Sequence, residues 1–135
     1  MQPESNDAAR PSLLIADDDA VVRATLSAQL ADRFDVVAAV ASASEAIAAA
    51  DEHRPDAALI DVDMPEGGAR AAVPEIASRS PGTCIVILSG DETRQLVEEL
   101  LGAGAVAYVR KGISAAEIAE TLRAGIEAKA ADATA

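Results

Sequence analysis

The chain alternates between short apolar runs and longer segments with helical spacing. Each apolar run has about the length of a strand and is too short for a stable helix. The runs are continuous rather than alternating with polar residues, which is typical of parallel strands covered on both faces. They lie at Leu13–Ala16, Val36–Val40, Ala57–Ile60, Cys84–Leu88 and Val106–Val109.

The segments with helical spacing separate these runs and follow the last one. The third of them, Ala69–Arg79, contains Pro74, which cannot donate a backbone hydrogen bond and disfavours a helix interior. The fourth is ended by Gly102. Residues with the spacing of N-terminal caps precede the others: Asp19 for the first, Ser42 and Glu45 for the second, and Ser114 and Glu117 for the fifth. Five strands that alternate with five helices predict an α/β fold, with a doubly wound, five-stranded parallel sheet.

The length and composition indicate one folded domain. The chain has 135 residues, half of them hydrophobic, which predicts a single core. We expect a flexible leader at 1–11, the domain at 12–128 and a frayed tail at 129–135. Because no apolar run approaches the roughly 20 residues that cross a bilayer, we expect no membrane association. The lone Cys84 cannot form an internal disulfide, which agrees with a cytoplasmic location.

The charge of the chain is strongly acidic. Asp and Glu number 23 against 11 Lys and Arg, which gives a formal net charge of −12. A phosphate backbone would be repelled by this charge, so we expect no direct nucleic-acid binding.

Polar residues stand at the carboxyl ends of four of the five predicted strands. Ligands bind outside those ends in a doubly wound sheet. Carboxylates that lie close together repel, and a hard divalent cation such as Mg²⁺ relieves the repulsion. These residues are Asp17 and Asp18 after the first strand, Asp61 after the third, Ser89 after the fourth and Lys111 after the fifth.

Such a site is suited to phosphoryl transfer. Asp61 could act as a nucleophile and form an acyl phosphate. The metal, Lys111 and the Ser89 hydroxyl would then hold the non-bridging oxygens in the transition state. The only histidine, His53, lies at a predicted helix end, so the sequence supplies neither a serine-protease triad nor a cysteine nucleophile with a base.

Four segments resemble, in the same order, the receiver domain of bacterial two-component response regulators. They are LLIADDDAVVR, PDAALIDVDMPEGG, CIVILSG and AGAVAYVRKG, and the resemblance covers Leu13 to Glu127. It implies a flavodoxin-like (βα)5 fold with strand order 2-1-3-4-5.

The resemblance also implies a metal site and a phosphoacceptor. Asp17 and Asp18 match the acidic pair that binds Mg²⁺, and Asp61 matches the phosphoacceptor, which is itself a metal ligand. The backbone carbonyl of Asp63 would complete the ligands that the protein supplies.

The family's switch matches three further residues. Ser89 corresponds to the switch hydroxyl, Tyr108 to the switch aromatic and Lys111 to the phosphate-binding lysine. In the family, a sensor histidine kinase or a histidine phosphotransfer protein donates the phosphoryl group. Ser89 would then move toward it and Tyr108 would turn inward. Apart from its own phosphorylation and slow autodephosphorylation, such a domain is not an enzyme.

The resemblance implies where the signal would leave the domain. The surface of the fourth helix, the fifth strand and the fifth helix would change on phosphorylation. A downstream protein, or an output domain outside this chain, would bind that surface, and a homodimer could form through it.

The sequence departs from the family pattern in two places. Gly112 follows Lys111 where the family has proline, often with a cis peptide bond. A cis bond before a non-proline residue costs about 3 kcal/mol or more, which predicts a trans linkage or an unusual loop. Asp63 and Asp91, two positions beyond Asp61 and Ser89, are both acidic, so we expect altered dephosphorylation kinetics.

Two other functions fit parts of the sequence. Asp61 and Asp63 resemble the D-x-D motif of haloacid-dehalogenase-type phosphatases, but that family carries its acidic metal pair after the lysine. The second is a receiver that only binds partners and is not phosphorylated. The full acidic set and Lys111 argue against it.

Overall fold

The computed structural model describes residues 10–90 and 94–134, which form five strands and five helices in strict alternation. The strands are β1 (Ser12–Ala16), β2 (Asp35–Val40), β3 (Ala57–Asp61), β4 (Cys84–Ser89) and β5 (Ala107–Arg110). The helices are α1 (Ala20–Leu30), α2 (Ala43–His53), α3 (Gly68–Arg79), α4 (Arg94–Ala103) and α5 (Ala115–Thr134).

All five strands are parallel, in the order β2-β1-β3-β4-β5. The α/β class, the doubly wound sheet and the strand order are therefore confirmed. Since the order reverses between β1 and β3, the carboxyl ends of these two strands flank a crevice outside the sheet.

Two apolar layers cover the sheet, one on each face. Successive side chains of a strand point to opposite faces, so Leu14 and Ile60 pack under α2, α3 and α4, while Ile15 and Leu59 pack under α1 and α5. The three central strands, β1, β3 and β4, are almost entirely buried, whereas the edge strands β2 and β5 are partly exposed. Cys84 is one of the buried core residues.

The predicted caps are present at the helix starts. Asp19 Oδ1 accepts hydrogen bonds from the backbone N–H groups of Val21 (2.9 Å) and Val22 (3.2 Å). Ser114 Oγ accepts from the Glu117 N–H at 3.1 Å. Pro74 lies inside α3 without ending it. Because Pro74 is on the exposed side, the carbonyl group that it leaves without a helical donor can bind water instead.

The two ends of the chain differ in what the structure describes. Helix α5 continues to Thr134, through the segment for which the sequence predicts a frayed tail. This segment is rich in alanine, the residue with the highest helix propensity. Most of the predicted leader, 1–9, lies outside the described residues. Among the helices that are described, none combines the length and the hydropathy needed to cross a membrane.

Candidate functional site

Asp17 lies at the carboxyl end of β1, buried beneath the first turn of α1. Its backbone N–H donates to the Val40 carbonyl at 3.0 Å, which extends the pairing with β2 by one residue. Its Oδ1 accepts from the Asp19 N–H at 2.9 Å, and the side chain has no exposed surface. The fold therefore fixes this carboxylate at the crevice.

Asp61 is the last residue of β3 and is only 2% exposed. The Val62 N–H donates to the Leu88 carbonyl at 3.2 Å, so the chain is still held by β4 just beyond the carboxylate. Asp61 and Asp17 thus end neighbouring strands on the same edge of the sheet.

Lys111 reaches these carboxylates from the end of β5. Its Nζ lies 3.1 Å from Asp61 Oδ1 and 3.7 Å from Asp17 Oδ2. Its backbone N–H donates to the Ser89 carbonyl at 2.7 Å, which ties the lysine to the end of β4. The side chain is 39% exposed, so a bound anion could approach its ammonium group from solvent.

The carboxylates form an acidic pocket, which we define as Asp17, Asp18 and Asp61. Each contributes one oxygen to a cluster in which all three atoms lie within 4.8 Å of one another. Asp17 Oδ2 and Asp61 Oδ2 are buried and have no hydrogen-bond donor. Because buried carboxylate oxygens normally have a donor or a cation, these atoms fit a hard divalent ion that binds oxygen.

The electrostatics of the acidic pocket follow from burial and crowding. Burial and, to a smaller extent, the nearby charge of Asp17 raise the pKa of Asp61 to about 6, although Lys111 and the Asp63 backbone partly offset them. Burial lowers the pKa of Lys111, but its hydrogen bond and charge interactions with the carboxylates, Asp61 first, outweigh this and raise it overall. Asp61 is therefore mostly ionised at neutral pH.

Ser89 and Tyr108 come from the two strands that follow β3 in the sheet, β4 and β5. Ser89 ends β4 and is buried, at the same sheet edge as the acidic pocket. Tyr108 is 50% exposed on β5 and lines, together with Ser89, Val97 and Leu101, a groove of about 400 Å³ against α4. The aromatic ring therefore faces outward in this structure.

The sequence of the chain matches a known protein family. The model of the response regulator receiver domain matches residues 13–123. The chain belongs to this family. The match covers all but the first residue of the sheet and the first half of α5.

The most similar relatives include transcriptional regulators. The chain is 37% identical over 114 residues to the transcriptional regulatory protein PdtaR of Mycobacterium tuberculosis, covering 83% of this chain and 55% of PdtaR. It is 36% identical over 114 residues to the transcriptional regulatory protein CitT of Bacillus subtilis, covering 82% of this chain and 50% of CitT. The chain thus spans about half the length of the curated relatives it matches.

Solved structures include a receiver domain with a bound metal. The receiver domain of a sensor histidine kinase from Pseudomonas aeruginosa, described with a magnesium ion coordinated in its active-site cleft, is 26% identical. Its TM-score is 0.78, and the match covers 88% of this chain and 99% of that one. A CheY-like receiver from Methanospirillum hungatei, 22% identical with a TM-score of 0.84, covers 92% and 99% and shows the shared fold.

This receiver domain departs from the family pattern after Lys111. No peptide bond in the described residues is cis, so the predicted trans linkage is confirmed. Gly112 has φ +96°, and the Ile113 N–H donates to the Arg110 carbonyl at 3.4 Å. A four-residue turn with positive φ only at its third position is a type II turn, which favours glycine there. Asp91, the other unusual acid, lies outside the described residues.

One residue of the site was missed by sequence reasoning. Arg23 donates from its guanidinium group to the Asp17 carbonyl at 2.9 Å. It occupies the fourth position of α1, and long helical side chains point back toward the amino end of their helix. That position was the signal that could have identified it, because Asp19 already fixed where α1 begins. His53 is exposed and is the last residue of α2, at the predicted helix end.

Proposed function

We propose that this receiver domain accepts a phosphoryl group on Asp61 in a reaction that requires Mg²⁺. One observation carries the proposal: a nearly buried Asp61 carboxylate has one oxygen 3.1 Å from Lys111 Nζ and the other without a donor, beside two further carboxylates. This combination is a nucleophile next to an anion-binding cation and a candidate cation site.

The side chains of the acidic pocket and the Asp63 carbonyl would hold the metal. When bound, Mg²⁺ would neutralise charge on the phosphoryl oxygens. Asp61 would attack the phosphorus of a phosphohistidine, the N–P bond would break, and the imidazole would leave and take up a proton. Lys111 would bind a non-bridging oxygen, and Ser89 would supply a hydroxyl to another.

The phosphodonor we propose is a sensor histidine kinase or a histidine phosphotransfer protein. An apolar groove of about 250 Å³ between α1 and α5 supports this, because Lys111 forms part of its lining. Val21, which is 73% exposed, and Ile113 also line it. A donor helix in this groove would bring its histidine next to Asp61. The proposed location, the cytoplasm, rests on this donor.

We propose that the output lies in another segment or protein. The relatives named as transcriptional regulators are about twice as long as the matched region, and a net charge of −12 disfavours direct contact with DNA. The partly exposed face of α4, β5 and α5, which carries Tyr108, is the surface proposed to change and to bind the target or a second copy.

Intact mass measurement after incubation with acetyl phosphate and Mg²⁺ tests the phosphorylation. The wild type should gain one phosphoryl group, and chelation of the metal or Asp61→Asn should abolish the gain. Asp51→Asn, which removes an exposed carboxylate on α2, is the matched control and should leave it intact.

The two alternatives give different results in the same assay. Multiple-turnover hydrolysis of small phosphate esters would indicate a phosphatase of the haloacid-dehalogenase type. Absence of an adduct with acetyl phosphate and with a phosphohistidine donor would indicate a domain that only binds partners.

A further inference from the structure

The loop between β3 and α3 closes the amino end of α2. The first N–H groups of a helix have no acceptor within the helix. The N–H of Ala43, the first residue of α2, donates to the Pro65 carbonyl at 3.1 Å. The hydroxyl of Ser44, one residue further, donates to Glu66 Oε1. Two consecutive loop residues therefore bind two consecutive residues of the helix start.

The Glu66 carboxylate is well placed at this position. Hydrogen bonds from the Ser44 hydroxyl, the Ser42 hydroxyl and the Ser44 backbone hold the pKa of Glu66 below its usual value. A negative charge at the amino end of a helix is also favoured by the helix dipole. Glu66 thus acts as a cap for α2, although it lies more than twenty residues away in the sequence.

The backbone at Glu66 has an uncommon conformation. Its φ of +69° makes it one of two non-glycine residues with positive φ in the described part of the chain. Residues other than glycine seldom adopt this conformation without something that holds it. The hydrogen bond from the Ser44 hydroxyl to the Glu66 carboxylate supplies that restraint.

The other end of the same loop is held by α3. The Ala69 N–H donates to the Val62 carbonyl at 3.0 Å. A Cβ atom on Gly68 would lie 2.6 Å from that carbonyl oxygen, so the close approach requires glycine. The first of these anchored residues, Val62, directly follows Asp61. Only Asp63 and Met64 lie between Val62 and the next anchored residue, Pro65.

We propose that Glu66 is a positioning residue: by binding the start of α2, it fixes the main chain of Asp63 in the orientation that Mg²⁺ binding needs. This inference rests on the proposed function, in which the Asp63 carbonyl is a metal ligand. Groups that orient a ligand typically change metal affinity by about 10–100-fold when removed. For one main-chain ligand we expect the lower end of this range.

Titration of the full chain with Mg²⁺ by isothermal calorimetry tests the proposal. Glu66→Ala and Ser44→Ala should each raise the Mg²⁺ dissociation constant roughly tenfold. Ser44→Ala removes the bond without altering the charge, and Glu66→Gln removes the charge but retains an acceptor oxygen. Glu66→Gln should therefore bind Mg²⁺ nearly as well as the wild type.

Glu75→Ala is the matched control. Glu75 is an exposed glutamate on α3 that binds Arg79 at 3.0 Å, so its ion pair lies within that helix. It should leave the dissociation constant unchanged. Since the Ser44 hydroxyl acts through its bond to Glu66, the double variant should bind Mg²⁺ no more weakly than Glu66→Ala alone.

The possible failures are distinguishable. If the wild type does not bind Mg²⁺, the proposed function fails. If the wild type binds Mg²⁺ and both alanine variants bind it equally well, only the positioning role is overturned. A lower melting temperature in those variants would then show that the contact is merely a helix cap. Equal weakening by Glu66→Gln and Glu66→Ala would overturn the role as well, because it would assign the effect to charge.

Discussion

Gly125 of α5 lies directly against Cys84 of β4. A Cβ atom built on Gly125 would be 2.5 Å from the Cys84 sulfur, which is closer than real Cβ atoms approach, and 3.3 Å from Val106 Cγ2, which is a tight contact. The helix can pack this close to the sheet only because residue 125 has no side chain. The contact also buries the thiol, which raises the pKa of Cys84 to about 11.

Gly125→Ala should therefore destabilise the protein although alanine is the better helix former. The helix gains about 1 kcal/mol from alanine, but forcing a methyl group into a packed contact typically costs about 1–3 kcal/mol. Urea denaturation should show a net decrease in the free energy of unfolding. Gly102→Ala is the control: it is also helical and has nothing within 4 Å, so it should be neutral or stabilising.

Cys84→Ala should relieve the effect. It removes the sulfur that the new methyl group would meet, so the double variant should be more stable than the sum of the two single changes predicts. Strict additivity of the free energies would show that the two residues do not interact.

The stability of the metal-free protein should depend on the ionisation of Asp61. Its folded-state pKa, about 6, is above the ordinary value of 3.8 for an aspartate, so the unfolded chain loses this proton first as pH rises. The protonated Asp61 carboxyl group therefore favours the folded state. This stabilisation is fully present below about pH 4 and is lost as pH rises through 6. By linkage, two pKa units amount to about 3 kcal/mol of the free energy of unfolding.

Asp61→Asn removes this contribution. In chelator, the free energy of unfolding of Asp61→Asn relative to that of the wild type should increase by about 2 kcal/mol between pH 4.5 and pH 7.5. Asp51→Asn, an exposed carboxylate on α2, should follow the wild-type profile. Parallel profiles for Asp61→Asn and the wild type would contradict the raised pKa.

Gly112 should not tolerate side chains, for a conformational reason. Nothing lies within 4 Å of a Cβ at this position, but its φ is +96°. Gly112→Ala should lower the free energy of unfolding by about 1–2 kcal/mol. Proline, whose φ is locked near −65°, should force the turn to rearrange. Because the turn positions Lys111, Gly112→Pro should also slow phosphorylation by acetyl phosphate. Gly82→Ala, in equally open space and without positive φ, should leave both stability and rate unchanged.

The sheet edge could be predicted from the sequence because it depends on chain order alone. Asp17, Asp61 and Lys111 each follow an apolar run, and the carboxyl ends of parallel strands meet at one edge wherever the helices lie. That Lys111 comes within 3.1 Å of Asp61 depends in addition on the strand order, in which only β4 separates β3 from β5.

Other features depend on geometry that periodicity does not encode. The bond between Glu66 and Ser44 requires a particular loop conformation, and neither residue carries a local signal for its partner. Tyr108 lies on a four-residue edge strand, where the pattern of apolar residues does not decide whether the ring points inward. The continuation of α5 was missed because its last residues lack an apolar stripe and are helical through alanine propensity.

Mg²⁺ should stabilise this receiver domain and reverse its response to acid. A ligand that binds only the folded state adds about 2.7 kcal/mol at a hundredfold excess over its dissociation constant. Because Asp61 must be ionised to bind the metal, protons compete with Mg²⁺, and the added stability should shrink as pH falls toward 5. Thermal denaturation with Mg²⁺ and with chelator, at pH 5 and pH 7.5, measures this directly.

Asp17→Asn, which leaves Asp61 in place but removes a buried oxygen of the pocket, should lose most of the stabilisation. A melting temperature that Mg²⁺ raises equally in Asp17→Asn and in the wild type would place the metal elsewhere on this acidic chain.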